Sequence, residues 1–532
     1  MYDQLHSHLS RITQDGQQHL LSGGKIGLEK ESLRVDSDGK ISQQPHPSSL
    51  GSALTNPYIT TDYSEALLEL ITPPLQGIAT TLGFLEKIHQ FVYGQLRHES
   101  LWGASMPCVI DGEASIPIAD YGPSNLGMMK TVYRRGLGHR YGKMMQVIAG
   151  IHFNYSLPDP FWPYYSDLFP RNALKRDFID DRYFALTRNL QRYGWLIYYL
   201  FGASPAICKS FVDGQPGTLQ QFDATTYYLP HATSLRMGDI GYNNKLESEI
   251  GIKACYDSLD SYIQCLIHAI ETSCPKYEKI GVKTAGEYRQ LNTNFLQIEN
   301  EYYSTVRPKQ PSLNNEKPVH ALRQRGVQYV ELRSLDLDIF EPLGINCDQL
   351  HFLEAFMIFC LLQESPRIDA AERQAIDSNE INTAHYGRDP ALKLTQGQKQ
   401  VSLQEWGQEI LHEMQAICEI LDEANSCDDY SAALRQQAAA MEEAALTPSA
   451  RILHEMRATE EGFFEMASRH SRIHQTRVCK HALSPQDTEF FTDTVQQSVK
   501  KQLEIEASDT VSFDEFLENY FQETLPEKAV TV

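Results

Sequence analysis

The sequence predicts an α+β fold, and three observations carry the prediction. Segments with period-two alternation, near residues 27–34, 67–72, 146–156 and 326–336, are spread over the first two thirds of the chain. An amphipathic helical period lies between them at 78–100, where Leu82, Leu85, Ile88, His89 and Val92 recur at helical spacing. Beyond about residue 347 the pattern turns helical, with long polar helices at 403–425, 431–446 and 450–470. With 532 residues, 42% of them hydrophobic, and a mean hydropathy of −0.39, the chain can bury a large core without disulfide or metal staples.

Residues 1–22 read as a short helix that leads into the first strand, Gly27-Leu28-Glu29-Lys30-Glu31-Ser32-Leu33-Arg34. Strand side chains alternate faces, so Glu29 and Glu31 point the same way with stems about 7 Å apart, while Lys30 points the other way with Leu28. That separation suits two neighbouring cations, or one cation and a substrate ammonium. Taken alone, a solvated acidic edge is the simpler reading. Val35–Ile41 contains Asp38-Gly39 and reads as a hairpin turn. A Gly/Ser/Pro-rich loop follows over 43–57.

Between Glu65 and Thr72 the helical and strand periods compete. The length, the β-branched end and the Pro73-Pro74 stop favour a strand from about Leu67 to Thr72. On it, Glu69 stands among Leu and Ile, where burial is costly unless something pairs with it. Residues 124–146 are rich in glycine and in basic side chains, with Lys130, Arg134, Arg135, Arg140 and Lys143 clustered. Gln146–Ser156 alternates as a strand, with Gln146, Ile148, Gly150, His152 and Asn154 on one face. A helix is expected over 182–201 and a loop-rich stretch over 203–245. Leu291–Tyr303 reads as another strand, followed by Arg307-Pro308-Lys309. Gly326–Asp336 gives a strong strand pattern, with Val327, Tyr329, Glu331 and Arg333 on one face. The composition shift near 347–370 is the plausible boundary. It divides a domain carrying the candidate site, 1–365, from a helical C-terminal region, 366–532, packed on the same unit.

The formal charge of −22 argues against nucleic acid or an anionic membrane as partner, because no Lys/Arg block supplies a local basic patch. A negative protein that handles anionic substrates needs cations or a few placed arginines. The ten cysteines form no Cys-x-x-Cys pair, which speaks against structural zinc. The start has no basic region followed by an apolar one, and no run reaches the ~18 apolar residues of a membrane span. These features predict a reduced, cytoplasmic protein with free thiols.

Several familiar motifs fail. Gly136-Leu-Gly-His-Arg-Tyr-Gly142-Lys143-Met144 has five residues between its outer glycines instead of the four of a phosphate loop, and Met where Ser or Thr must reach the metal. His412-Glu413 and His454-Glu455 lack the second histidine of a zinc protease helix, and no Gly-x-Ser-x-Gly elbow occurs.

What survives is a constellation. Three strand-like segments place Glu29 and Glu31, Glu69, and Glu331 inward, and a fourth brings His152 and Asn154. Hard oxygen ligands with one imidazole and no thiolate point to Mg²⁺ or Mn²⁺. Glu331 and Arg333 set a cation ligand beside a fixed positive charge, as phosphoryl transfer requires. A lone strand glutamate is ordinarily solvated or salt-bridged, and Arg333 could simply neutralise Glu331. Recurrence weakens that view, since several inward carboxylates repel one another unless cations are supplied.

The same residues carry a resemblance. Gly27-Leu-Glu-Lys-Glu-Ser-Leu-Arg-Val, Gly51-Ser-Ala-Leu-Thr, Ile59-Thr-Thr-Asp-Tyr-Ser-Glu-Ala-Leu-Leu-Glu69, Ser105-Met-Pro-Cys, Gly150-Ile-His-Phe-Asn-Tyr-Ser-Leu-Pro, Leu200-Phe-Gly-Ala-Ser-Pro-Ala, Leu296-Gln-Ile-Glu-Asn-Glu and Tyr329-Val-Glu-Leu-Arg-Ser-Leu-Asp resemble, in order, the proteobacterial glutamate–cysteine ligases. The likeness runs from about residue 20 to 365 and is loose beyond. One departure is Tyr63-Ser64, where the family has Phe-Ala.

The resemblance implies a glutamine synthetase-like fold, a curved antiparallel sheet lining a funnel with helices outside. It implies ATP-dependent ligation of the L-glutamate γ-carboxyl to the L-cysteine amine through a γ-glutamyl phosphate, the first step of glutathione synthesis. By that likeness Glu29, Glu31, Glu69, His152 and Glu331 would hold Mg²⁺. Tyr133, Arg134, Gln146, Asn154 and Tyr242 would shape the cysteine subsite, with Asp62 and Tyr63 as further candidates. Arg236 would anchor a substrate carboxylate, and Arg333, with Glu331, would face the transferring phosphoryl group. A monomer that binds only small molecules is expected. Two rivals remain: a ligase of the same superfamily with another amine acceptor, and a silent binding subunit that keeps the fold.

Overall fold

Strand β1 (Lys25–Val35) is the spine of the molecule. The structure, a computed structural model, describes residues 2–107, 109–169, 176–212, 217–241, 253–313 and 316–526. Beside β1 stand β2 (Ile59–Thr61), β3 (Leu67–Ile71), β4 (Ile151–Ser156), β5 (Val306–Lys309) and β6 (Tyr329–Leu335). Their spatial order is β5-β6-β4-β1-β3-β2, and every pairing is antiparallel. The register sets Glu31 opposite Glu69, Glu29 opposite His152, and Glu331 opposite both Asn154 and Arg307. Directly opposed residues share a face, so the carboxylates expected to point inward do so together. Between Leu332 and Leu335 the register of β6 on β4 shifts, and Arg333 lies in this irregularity.

The other face of β1 is covered by helix. After α1 (Asp3–Gln14), helix α2 (Ile78–Gln95) lies against β1 and β3. Lys30, buried on this side, meets His89 of α2, Nζ to Nε2, at 2.7 Å. The turn at 36–40 forms as expected, with Gly39 at φ 73 and the Asp36 carboxylate accepting from the Asp38 and Lys40 amides.

The basic, glycine-rich stretch is mostly helix, α3 (Asn125–Tyr141). Ser124 caps it by accepting from Gly127 N, and Gly142 ends it at φ 82. Two of its internal glycines are packing requirements. A Cβ on Gly136 would sit 2.1 Å from the Gln297 amide, and one on Gly138 2.5 Å from the Tyr63 hydroxyl. A 3₁₀ turn at Met144–Val147 follows, so the next strand starts at Ile151 rather than at Gln146.

The helix expected over 182–201 is two, α4 (Arg176–Tyr193) and α5 (Trp195–Phe201), interrupted at Gly194. The strand expected at 291–303 is not there: the segment is irregular apart from a 3₁₀ turn at Glu299–Glu301. The strand is β5 instead. Its Pro308 is tolerated because β5 is the edge of the sheet.

Helices α6 (Pro318–Arg325) and α7 (Cys347–Leu362) follow on either side of β6. Helix α7 is apolar all round over Ala355–Leu362, and α4 packs on it from the N-terminal two thirds. Beyond it come α8 (Ala370–Tyr386), a hairpin at Lys393–Gln396 and Lys399–Ser402 that the sequence pattern does not announce, α9 (Leu403–Asn425) and α10 (Asp429–Glu442). The helix expected over 450–470 is α11 (Pro448–Thr459) and α12 (Phe463–Val478), broken where Glu460 turns left-handed at φ 57. Helices α13 (Pro485–Ser508) and α14 (Phe513–Gln522) end the described chain.

Helices α9 and α10 also pack on α7. The buried Glu354 of α7 accepts from Tyr430 Oη of α10 at 2.7 Å and from Tyr155 Oη of β4 at 3.4 Å. One hydrophobic cluster runs from Tyr2 to Phe491, across the compositional boundary.

Candidate active site

A cavity of about 600 Å³ opens on the acidic face of the sheet. Its floor is set by the register. His152 Nδ1 lies 3.0 Å from Glu29 Oε2 and 3.7 Å from Glu331 Oε1, and its Nε2 lies 3.8 Å from Glu31 Oε1. Asn154 Nδ2 donates to the other Glu29 oxygen at 2.9 Å, and Gly150 N to Glu31 Oε2 at 2.8 Å. Glu331 Oε1 accepts from Arg333 Nη1 at 3.2 Å, and its Oε2 faces Lys309 Nζ at 3.5 Å.

The charges are uneven. Burial, then the charges of Glu29, Asp62 and Glu31, push the Glu69 carboxyl well above the usual range. Burial also raises Glu31. Burial opposes ionisation of Glu331 too, yet Lys309, Arg333, His152 and Arg307 hold it well below the usual carboxylate range. Lys130, on the α3 wall, is pushed down to about 8 by burial and by Arg134. Like charges directly opposed on a sheet are destabilising, so the Glu31–Glu69 pair is not there for stability.

The donor set fits a hard divalent cation. Ligand atoms of Glu29, His152 and Glu331 lie within 4.8 Å of one another, and so do those of Glu31, Glu69 and His152. Glu331 Oε2 and Asn154 Oδ1 are buried without a hydrogen bond. Carboxylate oxygens with one imidazole suit Mg²⁺ or Mn²⁺.

Of the residues expected from the sequence, Asp62, Tyr63, Tyr133, Arg134 and Gln146 line the cavity along with all five candidate metal ligands and Arg333. Gln146 accepts from Tyr303 Oη at 2.8 Å, and Arg134 Nε donates to the Asp62 carbonyl. Asn154 orients Glu29 and is not part of the lining. Nor is Arg236, which is 2% exposed. Its guanidinium lies 3.6 Å from Asp336, donates to the Arg333 carbonyl at 2.9 Å, and packs where a Cβ on Gly150 would be. Tyr242 falls outside the described residues.

Several lining residues were not foreseen. Lys130 of the basic cluster, one turn before the expected Arg134 on the same helix face, reaches the cavity, whereas Arg140 is locked in a buried pair with Glu301 at 2.8 Å. Arg307 and Lys309 bring positive charge from the edge strand; the parity of Arg307-Pro308-Lys309 could have found them. Ile298 and Tyr303 come from irregular chain, Asn300 from the short 3₁₀ turn between them, and Phe516, Asn519, Tyr520 and Glu523 from the far C-terminus. Nothing local marks these.

An acidic floor able to hold divalent cations, a flanking cluster of Arg307, Lys309 and Arg333, and a polar-aromatic wall from α3 together suit phosphoryl transfer. Comparison with known proteins agrees. The family model of glutamate–cysteine ligases matches residues 9–383. The glutamate–cysteine ligase of Alcanivorax borkumensis is 47% identical over 513 residues, 94% of this chain and 96% of that one. That of Pseudomonas aeruginosa is 46% identical over 520 residues, 98% of each. The crystal structure of a Francisella tularensis glutamate–cysteine ligase in complex with AMP superposes with a TM-score of 0.88 at 35% identity, covering 94% of this chain and 98% of that one. A bifunctional glutathione synthetase from Pasteurella multocida, 23% identical, shares the fold with a TM-score of 0.68 over 92% of this chain and 57% of its own.

Proposed function

This chain belongs to the glutamate–cysteine ligase family, and we propose that the carboxylate-lined cavity is its active site. The enzyme uses ATP to join the γ-carboxyl of L-glutamate to the amine of L-cysteine, giving γ-glutamylcysteine, the first step of glutathione synthesis. The observation that carries the site assignment is the opposed Glu31–Glu69 pair with His152 shared between two ligand clusters.

In this reading Glu29 and Glu331 would hold one Mg²⁺ or Mn²⁺, Glu31 and Glu69 would hold a second, and His152 would serve one of the two with its unprotonated nitrogen. When bound, the cations screen the phosphates of ATP so that a carboxylate can approach them. Arg333, supported by Lys309 and Arg307, steadies the charge that develops on the γ-phosphoryl group. A γ-carboxylate oxygen of glutamate attacks the γ-phosphorus and ADP leaves. The lone pair of the cysteine amine then attacks the acyl carbon, phosphate departs with the C–O bonding electrons, and the amine proton passes to solvent. Tyr133, Arg134 and Gln146, with Asp62 and Tyr63 beside them, seat the acceptor. Asn154 holds Glu29 in place. Arg236, inside the wall, fixes the main chain of Arg333.

We also read the enzyme as a cytoplasmic monomer with a catalytic domain over 1–365 and a helical region over 366–532 packed on it. Supporting the compartment and the packing of the two regions are the free thiols of all cysteines among the described residues and the continuous core. No helix among the described residues is long and apolar enough to cross a membrane.

The test supplies ATP, glutamate and, in turn, cysteine, 2-aminobutyrate, glycine and ammonia, and measures ADP. Cysteine should give the highest kcat/KM. A clear preference for another amine would replace the acceptor assignment, and no acceptor-dependent ADP at all would favour a silent binding subunit.

A further inference from the structure

The last helix is built unlike the helices around it. Phe513, Phe516, Leu517, Tyr520 and Phe521 make one apolar stripe on α14 at helical spacing. That stripe does not enter the main core. It docks on Met129 and Val132 of α3 and on Leu291, forming a small cluster of its own. The helix leading to it, α13, buries only Phe491 and Ser498.

Both ends of α14 are tied. At the elbow, Asn125 N at the start of α3 donates to Asp509 Oδ2 at 2.6 Å, and Asn125 Nδ2 to the Val511 carbonyl at 3.0 Å. At the far end, Lys317 Nζ donates to the Glu523 carbonyl at 3.0 Å, and His320 Nδ1 lies 3.4 Å from the Glu523 carboxylate. The helix therefore spans from α3 to α6. Between the ties, Phe516, Asn519 and Tyr520 face the cavity beside Lys130 and Tyr133.

We propose that α14 is the outer wall of the acceptor subsite, with Asn519 and Tyr520 contacting the bound amine substrate and the helix keeping water from the activated acyl group. This rests on the ligase reading above, and it assigns a role to a segment to which the sequence assigned none. The placement follows from geometry: α14 packs on the same helix that carries Tyr133 and Arg134, whereas Arg307, Lys309 and Arg333 lie on the sheet. An acyl phosphate has two competing fates. The amine nitrogen can attack the acyl carbon, giving the amide and phosphate. Water oxygen can attack the same carbon, breaking the same C–O bond, releasing phosphate and returning free glutamate, so that ATP is consumed without product. A wall over the acceptor side favours the first.

The experiment measures ADP and γ-glutamylcysteine in one reaction, in the full-length chain, for wild type and for Asn519→Ala, Tyr520→Ala and Leu517→Ser, the last chosen to unseat the helix. Wild type should form one ADP per dipeptide. The variants should raise KM for cysteine about tenfold, leave KM for ATP within about twofold, and form about two or more ADP per dipeptide. Leu503→Ser, on the exposed face of α13 at 59% exposure, should match wild type in all three readouts. Coupled turnover with unchanged KM for cysteine in Asn519→Ala and Tyr520→Ala overturns the proposal, whether or not Leu517→Ser folds. So does a rise in KM confined to ATP or glutamate, or the same defect in Leu503→Ser. A wild type that makes no dipeptide from cysteine would instead sink the ligase reading itself.

Discussion

Two buried clusters in this protein pair arginine with glutamate, and they differ in how far their charges are satisfied. Around Arg140 the accounts close. Its guanidinium donates to Glu301 at 2.8 Å, Gln290 at 2.9 Å and the Asn292 carbonyl at 2.8 Å, while Glu301 also accepts from Tyr141 Oη and Gln297 N at 2.7 Å each. On the sheet, four carboxylates face one imidazole, with Lys309 and Arg333 as the cations in direct contact. Two of the carboxylates stand opposed, and Glu331 Oε2 lacks a hydrogen bond. A satisfied cluster holds the fold together. An unsatisfied one is prepared for something that arrives later.

The contrast can be broken by mutation, and the largest effect should be on activity. Glu331→Gln should lower kcat by about 10³-fold or more, because it removes a ligand and a fixed charge at the reacting group. Near-wild-type turnover would remove Glu331 from the site. Glu69→Gln should lower kcat by about 10²-fold or more while leaving the metal-free melting temperature unchanged or raised, since a repulsive charge is gone. A lower melting temperature would make the sheet face a structural network of the Arg140 kind. Arg140→Ala should do the reverse. It leaves Glu301 charged and buried, at a cost of about 3–5 kcal/mol in denaturant unfolding, with KM values little changed in whatever enzyme remains folded.

A smaller effect concerns pH. Burial raises the Glu354 carboxyl to about 7. A carboxyl with its folded pKa above its unfolded value binds its proton more tightly in the folded state. Its contribution is therefore full below the unfolded pKa and is lost as pH rises toward the folded one. Glu354→Gln should gain on wild type between about pH 5 and pH 7.5, by about 3 °C in melting temperature. A constant difference across that range would contradict the shift. Smallest of all, the Tyr63 hydroxyl is buried without a hydrogen bond. Tyr63→Phe should be neutral or stabilising by about 1 kcal/mol in denaturant unfolding.

The acidic face was legible because strands have a fixed parity. Period two put Glu29 with Glu31, and Glu331 with Arg333, on one side of their strands and Lys30 on the other; Glu69 needed the choice of strand over helix, and joining the strands into one face came from the family resemblance. The helix α3 was harder to read because the reasons for its glycines, Gln297 against Gly136 and Tyr63 against Gly138, lie far away in sequence. The strand expected at 291–303 failed similarly: those residues are held by Arg140, by side-chain hydrogen bonds and by a few backbone bonds to residues 269–274 that form a single bridge, not a ladder. Arg236, given a substrate-facing role by resemblance, sits behind Gly150 and binds the protein itself. The wall from α14 had no local signature, because an apolar helical stripe looks the same whether it covers a core or a cavity.

The central claim is that the unsatisfied carboxylate face is a divalent-cation site. Titration of Mn²⁺ in the presence of ATP, followed by the spin-resonance signal of the free ion, tests it most directly. The account predicts that wild type takes up Mn²⁺ at two classes of site, and that Glu69→Gln and Glu331→Gln each weaken a different one by about tenfold or more. Mn²⁺ binding identical in wild type and both variants would contradict it.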